Sequence, residues 1–126
     1  MTEKEQTKTV LIIEDDDQIS YLLKFLVERE GYSVISAADG QIAHDLIEDI
    51  EPPDLVLLDM MLPYIDGYEL YKKMRLNISW NDVSVIVLST KSQEKDIVKM
   101  LDKGVNDYVV KPFQPMELLS RIKRIL

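Results

Sequence analysis

Cysteine is absent from this 126-residue chain, which excludes disulfide bonds and thiolate metal ligands. Glycine occurs only four times and no Gly-x-Gly-x-x-Gly pattern is present, which counts against a dinucleotide or flavin site. No uninterrupted apolar run exceeds four residues, so the sequence offers no membrane-spanning helix. The first ten residues, MTEKEQTKTV, also lack the apolar stretch of a signal peptide. We therefore predict a soluble, cytoplasmic protein with no membrane partner.

Basic residues are in the minority. Fifteen Lys and Arg stand against 23 Asp and Glu, for a formal net charge of -8. This charge disfavours direct binding to nucleic acid or to an anionic membrane, and it favours a basic or neutral protein partner. The length suits one domain, and no repeat, linker or low-complexity tract divides the chain. We therefore predict a single domain over residues 1–126.

Short apolar runs predict the strands of the fold. Four runs stand out, and a weaker fifth follows Gly31. The four are continuous and do not alternate with polar residues, which is typical of parallel strands buried on both faces. The five predicted strands cover residues 10–13, 33–37, 55–58, 83–88 and 108–110.

Helical patterns separate these runs. They predict helices after the acids at positions 16 and 17, over residues 41–48, after Gly67, over residues 93–103 and after Pro115. The side chains expected to face inward are Ile19, Leu22, Leu23 and Leu26 in the first helix and Ile97, Val98 and Leu101 in the fourth.

The alternation of strand and helix predicts a doubly wound (βα)5 sandwich of the α/β class, built on a five-stranded parallel sheet in the order 2-1-3-4-5. Such a sheet binds ligands at the carboxyl ends of its strands, where the strand order reverses. Glu14 and Asp15 follow the first strand, and Asp59 ends the third. Carboxylates that lie close together repel each other unless a cation neutralises them. Mg²⁺ fits this position because it takes oxygen ligands and is commonly shared with a phosphate.

The same edge supplies groups for phosphoryl chemistry. Asp59 is a candidate nucleophile toward phosphorus, because a carboxylate can form an acyl phosphate. Lys111, which precedes Pro112 after the fifth strand, would balance the charge on the phosphoryl oxygens. Ser89, at the end of the fourth strand, is placed to hydrogen-bond one of those oxygens.

Several spaced motifs together resemble one family. They are LIIEDDD at 11–17, GYSV at 31–34, PDLVLLDMMLPYIDGYEL at 53–70, VIVLST at 85–90 and the stretch 104–113, which ends in Lys-Pro-Phe. In this order they resemble the CheY-like receiver domain of response regulators in two-component signalling, from about Lys8 to Leu126. The resemblance implies a flavodoxin-like fold and a phosphoprotein. It implies no enzyme activity beyond the domain's own phosphotransfer and dephosphorylation.

The resemblance also implies roles for individual residues. Asp59 would accept a phosphoryl group from the phosphohistidine of a sensor histidine kinase or phosphotransfer protein, with Mg²⁺ as cofactor. The surface of the fourth helix, fifth strand and fifth helix would then change and act on an effector domain or output protein. Asp107 and Arg121 match a pair that bridges homodimers through that surface. The other implied roles are direct metal ligation by Asp15 and the Met61 backbone carbonyl, metal contact through water by Glu14, switching by Ser89 and Tyr108, and phosphate binding by Lys111.

Other interpretations of the same residues remain open. A metal-dependent phosphohydrolase on a similar sheet needs a second acid two residues after its nucleophile; this chain has Met61 there, which counts against that class. A receiver fold that has lost phosphorylation, and serves only as a docking module, would keep the same pattern. Asp16 or Asp17 could simply cap a helix, and Tyr108 could be a packed aromatic. The chain also departs from the family at Tyr64, where a glycine is usual after the proline.

Overall fold

A computed structural model describes residues 7–126 of the protein. The first six residues, which the predicted domain 1–126 includes, lie outside the described residues. Five strands and five helices alternate along the chain. Their bounds are Thr9–Ile13 (β1), Asp17–Arg29 (α1), Ser33–Ala37 (β2), Gly40–Asp49 (α2), Leu55–Asp59 (β3), Gly67–Leu76 (α3), Ser84–Ser89 (β4), Glu94–Asp102 (α4), Asp107–Val110 (β5) and Pro115–Ile125 (α5).

The five strands form one sheet in which every neighbouring pair is parallel. The strand order is β2-β1-β3-β4-β5, so the predicted order and the predicted doubly wound (βα)5 fold of the α/β class are confirmed. β1 and β3 pair directly, with Ile13 opposite Leu58. The residues that follow β1 therefore lie beside the end of β3. The strand order changes direction between β1 and β3, and the carboxyl ends of these two strands form the edge at which the sequence predicts a site.

Alternate strand residues fill two cores, one on each face of the sheet. Leu11 and Ile13 belong to a core that α2, α3 and α4 close. Val10 and Ile12 belong to a second core that α1 and α5 close. Fully burying such a side chain contributes roughly 1.5–3 kcal/mol before the entropy cost of ordering it. The two cores together hold the strand ends at the site in place.

The helices are short, and three of them begin with an aspartate cap. The Asp16 carboxylate accepts hydrogen bonds from the backbone N–H groups at the start of α1, so Asp16, and not Asp17, is the cap. Asp39 and Asp66 cap α2 and α3 in the same way. Each such cap stabilises the helix start by about 1 kcal/mol. No helix within residues 7–126 combines the length and apolar character needed to cross a bilayer.

Two predicted inward faces are partly wrong. In α1, Leu22 is 37% exposed, and the face toward the sheet continues instead through Val27. In α4, Val98 and Leu101 are 44% and 43% exposed, while Met100 is the buried residue. Successive helix residues are rotated by about 100°, so Leu22 and Leu101 sit on the rim of the face that their neighbours Leu23 and Met100 bury. A short helix with apolar residues on adjacent positions leaves this choice to the tertiary packing.

Candidate functional site

The carboxyl ends of β1 and β3 bring three carboxylates together. One oxygen from each of Glu14, Asp15 and Asp59 lies within 4.8 Å of the others. Asp15 is exposed, whereas Glu14 and Asp59 are only 2% and 6% exposed. The structure thus gathers the three acids that the sequence predicts, with Asp15 on the solvent side of the cluster.

Lys111 follows β5 and reaches into this cluster. Its Nζ lies 2.6 Å from Glu14 Oε1 and 3.5 Å from Asp59 Oδ2. The Lys111 side chain is 12% exposed, so little solvent screens these contacts. Its backbone N–H donates to the Ser89 carbonyl at 2.8 Å, which anchors the lysine beside the end of β4. One ammonium therefore balances only part of the charge of three carboxylates.

Burial makes Glu14 the most perturbed acid of the cluster. It raises the pKa of the Glu14 carboxyl from 4.5 to about 7, because the charged form loses hydration. The hydrogen bond from Lys111 opposes this rise, and the nearby Asp59 adds to it. Near neutral pH the cluster accordingly favours either a proton or an additional cation.

The donor set fits a hard divalent cation. Carboxylate oxygens are the ligands that Mg²⁺ prefers, and the excess negative charge around Lys111 is what such an ion would neutralise. Met61 lies in the loop after β3, where its backbone N–H donates to Asp59 Oδ1 at 3.1 Å. That contact uses the Met61 amide, so metal ligation by the Met61 carbonyl stays a prediction.

Ser89 and Tyr108 meet at the backbone of Lys91. The Ser89 hydroxyl oxygen, on a residue 1% exposed, accepts a hydrogen bond from the Lys91 N–H at 3.1 Å. The Tyr108 hydroxyl donates to the Lys91 carbonyl at 2.8 Å. One peptide segment after β4 thus contacts both predicted switch residues. Sequence reasoning missed Lys91, because its backbone groups make these bonds and any residue type carries them.

Two glycines allow the loop after β3 to pack closely. A Cβ on Gly67 would lie 2.5 Å from the Asp59 carbonyl oxygen, and one on Gly40 would lie 1.9 Å from the Ile65 carbonyl oxygen. A larger residue in place of either glycine would therefore push this loop away from the acids. Tyr64, by contrast, adopts a φ of 71°, a left-handed conformation that a non-glycine residue rarely takes. Its side chain is 84% exposed, so packing does little to compensate for the strain.

The pair that the resemblance assigns to a dimer interface is engaged within the chain. The Arg121 guanidinium donates to both Asp107 carboxylate oxygens, at 2.9 and 3.1 Å. The same guanidinium donates to Glu117 at 3.0 Å. These acids raise the pKa of Arg121 above its ordinary value, Asp107 most strongly. Both groups would have to leave these partners to bridge two copies.

Comparison with known proteins identifies the family of this fold and site. The family model for the response regulator receiver domain matches residues 10–123. The alkaline phosphatase synthesis transcriptional regulatory protein PhoP of Bacillus subtilis is 41% identical over 119 residues, which are 94% of this chain and 48% of that protein. The chain spans about half the length of the curated relatives that it matches.

Solved structures agree with this assignment. The receiver domain of the Francisella response regulator 1452 has a TM-score of 0.86 and 32% identity, covering 94% of this chain and 96% of that one. The receiver domain of sensor histidine kinase PA1611 from Pseudomonas aeruginosa, with a magnesium ion coordinated in its active site cleft, has a TM-score of 0.82 and 29% identity over 94% of this chain and 97% of that one. The chain therefore belongs to the family of response regulator receiver domains, the CheY-like signalling domains of two-component systems.

Proposed function

We propose that residues 1–126 act as a single phosphoacceptor domain in which Asp59 receives a phosphoryl group from the phosphohistidine of a sensor histidine kinase or a phosphotransfer protein. The observation that carries this proposal is the buried Asp59 carboxylate beside Glu14, Asp15 and the Lys111 ammonium. Phosphoryl transfer needs an oxygen nucleophile and positive charge to stabilise the phosphoryl oxygens. At this edge of the sheet, Asp59 supplies the nucleophile and Lys111 the positive charge.

In the proposed transfer, an Asp59 carboxylate oxygen forms a bond to phosphorus as the phosphorus–nitrogen bond of the phosphohistidine breaks. The electron pair of that bond returns to the imidazole of the donor. The Lys111 ammonium, 3.5 Å from Asp59 Oδ2, stabilises the negative charge on the phosphoryl oxygens. Water later bonds to phosphorus as the bond from phosphorus to the Asp59 oxygen breaks, which releases inorganic phosphate and restores the carboxylate. The domain is thus its own phosphotransfer and dephosphorylation catalyst, and not an enzyme in the usual sense.

The residues that would hold Mg²⁺ are the carboxylates of Asp15 and Asp59 and the Met61 carbonyl, with Glu14 acting through water. When bound, the ion would neutralise the acids and the phosphoryl oxygens. The raised pKa of Glu14 supports this assignment, because a cation near this carboxyl could replace the proton that it otherwise retains. The magnesium ion in the PA1611 receiver domain, on a related fold, supports it as well.

The proposed switch runs through Ser89, Lys91 and Tyr108. A phosphoryl group on Asp59 offers the Ser89 hydroxyl proton a charged acceptor. The hydroxyl would then donate to the phosphoryl group in addition to accepting from the Lys91 N–H. In this structure the Tyr108 hydroxyl donates to the Lys91 carbonyl. Movement of the Lys91 segment would break or redirect this hydrogen bond. A shift from mostly off to mostly on requires about 5 kcal/mol of differential stabilisation. Several charge-assisted hydrogen bonds in a sheltered site reach that range.

The surface of α4, β5 and α5 is the proposed output of this switch. Arg121, Asp107 and Glu117 lie on it in one ion-pair network. On activation, exchange of these pairs between two copies would produce a homodimer. PhoP and PhoB are named as transcriptional regulatory proteins, so an effector domain or separate output protein, working in the cytoplasm, is the proposed target. This domain itself makes no direct contact with nucleic acid, in line with its charge of -8.

The proposed function is tested by intact mass after incubation with acetyl phosphate, with and without Mg²⁺. We expect a magnesium-dependent gain of one phosphoryl group in the native protein and none in Asp59→Asn. Asp49→Asn, an exposed aspartate at the end of α2, is the matched control and should be modified like the native protein. A native protein that no donor modifies would point to a docking module without phosphorylation.

A further inference from the structure

Three lysine ammonium groups, from α3, from α4 and from the C-cap of α4, lie around one tyrosine ring on α3. The ammonium nitrogens of Lys72, Lys99 and Lys103 lie 5.3, 5.0 and 5.5 Å from the centroid of the Tyr68 ring. Tyr68 and Lys72 are on α3, Lys99 is on α4 and Lys103 is the C-cap of α4. We call these four residues the Tyr68 cluster. It is a local concentration of positive charge on a chain whose net charge is -8.

Few acids of the described residues pair directly with this cluster, although Asp66 and Asp96 line a cavity with Tyr68 and Lys99. Across residues 7–126, neither Lys99 nor Lys103 has a carboxylate partner, and Lys72 has only the exposed Glu69 at 3.5 Å. The Lys103 ammonium, helped by the charges of Lys72 and Lys99, lowers the pKa of the Tyr68 hydroxyl below 10.0. Three ammonium groups around one ring repel each other, and the ring face compensates only in part. An external anion would relieve that repulsion.

An open groove adjoins the cluster. Its volume is about 330 Å³. The Arg75 guanidinium on its wall is already engaged, since it donates to the Tyr71 hydroxyl at 3.0 Å and to the Val83 carbonyl at 2.9 Å. Leu76, at one side, is 85% exposed. The groove therefore combines apolar surface with a cationic rim. Its lining residues are Tyr68, Tyr71, Lys72, Arg75, Leu76 and Lys103.

We propose that the Tyr68 cluster and this groove form a docking surface for an acidic protein segment that carries an apolar side chain. Carboxylates of the segment meet the ammonium groups of Lys72, Lys99 and Lys103, and the apolar side chain lies against the exposed Leu76 and the half-buried Tyr68 ring. Charge complementarity selects such a partner. A nucleic acid duplex fits less well, because its long array of phosphates would also run against the acidic remainder of the protein. The inference is independent of phosphorylation at Asp59.

The test is an NMR titration of the ¹⁵N-labelled protein at low ionic strength, without phosphodonor. The probe is a synthetic peptide in which glutamates flank a single phenylalanine, and the control probe has glutamine in place of each glutamate. We expect the acidic peptide to shift amide signals of α3 and α4 around Tyr68, Lys99 and Lys103. The glutamine peptide should bind roughly tenfold more weakly or not at all, since it lacks the charges.

Charge reversal on one helix separates a specific surface from general attraction. Lys99→Glu and Lys103→Glu should each weaken binding of the acidic peptide roughly tenfold. Lys95→Glu makes the same change of net charge on exposed α4 surface outside the cluster and should leave binding within about twofold. Tyr68→Leu, checked for native thermal unfolding, should weaken binding without any change of charge.

The proposal is wrong if the acidic peptide does not bind, or if its shifts map elsewhere. An equal loss in Lys95→Glu and Lys99→Glu would reduce the interaction to non-specific attraction. Equal binding of the glutamine peptide would show that charge complementarity does not cause the binding. Tighter binding of a DNA duplex through the same lysines would replace the acidic segment with nucleic acid as the partner.

Discussion

The edge of the sheet at β1 and β3 and the α4 segment differ in how firmly the rest of the protein holds them. The acids lie at the carboxyl ends of two strands in which every residue except Thr9 is buried, and α1 beside them begins at the Asp16 cap. α4 has no side-chain cap at Gln93 and buries only Met100. The proposed chemistry thus lies where buried contacts make the fold rigid, and the proposed response lies where few contacts resist a change.

The two ends of α4 differ as well. At its C-terminus the Tyr71 hydroxyl donates to the Lys103 carbonyl at 2.7 Å, and Gly104 has a positive φ of 100° that suits a helix end. At its N-terminus, the preceding Lys91 segment contacts Ser89 and Tyr108 through two hydrogen bonds. A movement of α4 would therefore begin beside the site and pivot near Lys103.

The largest effect is expected at the rigid edge, from Lys111→Met. Loss of the ammonium removes the fixed cation beside Asp59 and should slow phosphorylation by acetyl phosphate by about 10²–10³-fold, or about 3–4 kcal/mol. Magnesium binding, followed by thermal unfolding, should be retained. Lys95→Met, which removes an exposed lysine of α4, is the control and should react at the native rate. Equal loss of metal binding and phosphorylation would contradict separate roles for Lys111 and the acids.

The next effect is a pH dependence that arises from Glu14. Its pKa is about 7 in the folded protein, against an ordinary value of 4.5 for the unfolded chain, so the folded protein holds this proton more tightly. Without Mg²⁺, the resulting stability is fully present below about pH 4.5 and is lost as pH rises through about 7. The full loss should be on the order of 3 kcal/mol, because each unit of pKa difference corresponds to about 1.4 kcal/mol.

Urea unfolding between pH 5 and 8 measures this loss. Glu14→Gln should show a flatter profile, because the amide does not titrate, and the difference between the two proteins isolates Glu14 from the other acids. Identical slopes would show that Glu14 is not the perturbed group.

A smaller effect is expected from Asp15→Asn on stabilisation by Mg²⁺. An ion that binds only the folded chain at ten times its dissociation constant stabilises it by about 1.4 kcal/mol. Loss of one carboxylate should remove most of this increment in thermal unfolding. Asp17→Asn, a nearby acid on α1 outside the cluster, should keep it. A native increment in Asp15→Asn would exclude Asp15 from the metal site.

The smallest effect concerns the loop between the two regions. Tyr64→Gly should leave the free energy of unfolding unchanged or raise it by about 0.5–1 kcal/mol, because glycine accepts a φ of 71° without strain. The gain is limited, since glycine also has more freedom in the unfolded chain. A loss of more than about 1 kcal/mol on denaturant unfolding would show that the exposed Tyr64 ring stabilises the loop.

Much of the rigid edge was predictable from sequence. Continuous apolar runs identify the parallel strands, and acids directly after two runs that pair in the sheet must meet at its edge. The weakly held region was less predictable. The pattern of α4 predicted Val98 and Leu101 as inward residues, whereas the tertiary packing buries Met100. The Lys91 contacts use backbone atoms, and the Tyr68 cluster joins two helices, so neither leaves a local pattern in the sequence.

The most direct test of the difference between the two regions is hydrogen exchange followed by mass spectrometry, with and without beryllofluoride and Mg²⁺ as a stand-in for the phosphoryl group. We expect altered exchange in residues 90–103 and unchanged protection in β1 and β3, with no response in Asp59→Asn. A response spread evenly over the sheet, or one that persists in Asp59→Asn, would contradict a rigid site coupled to a weakly held α4.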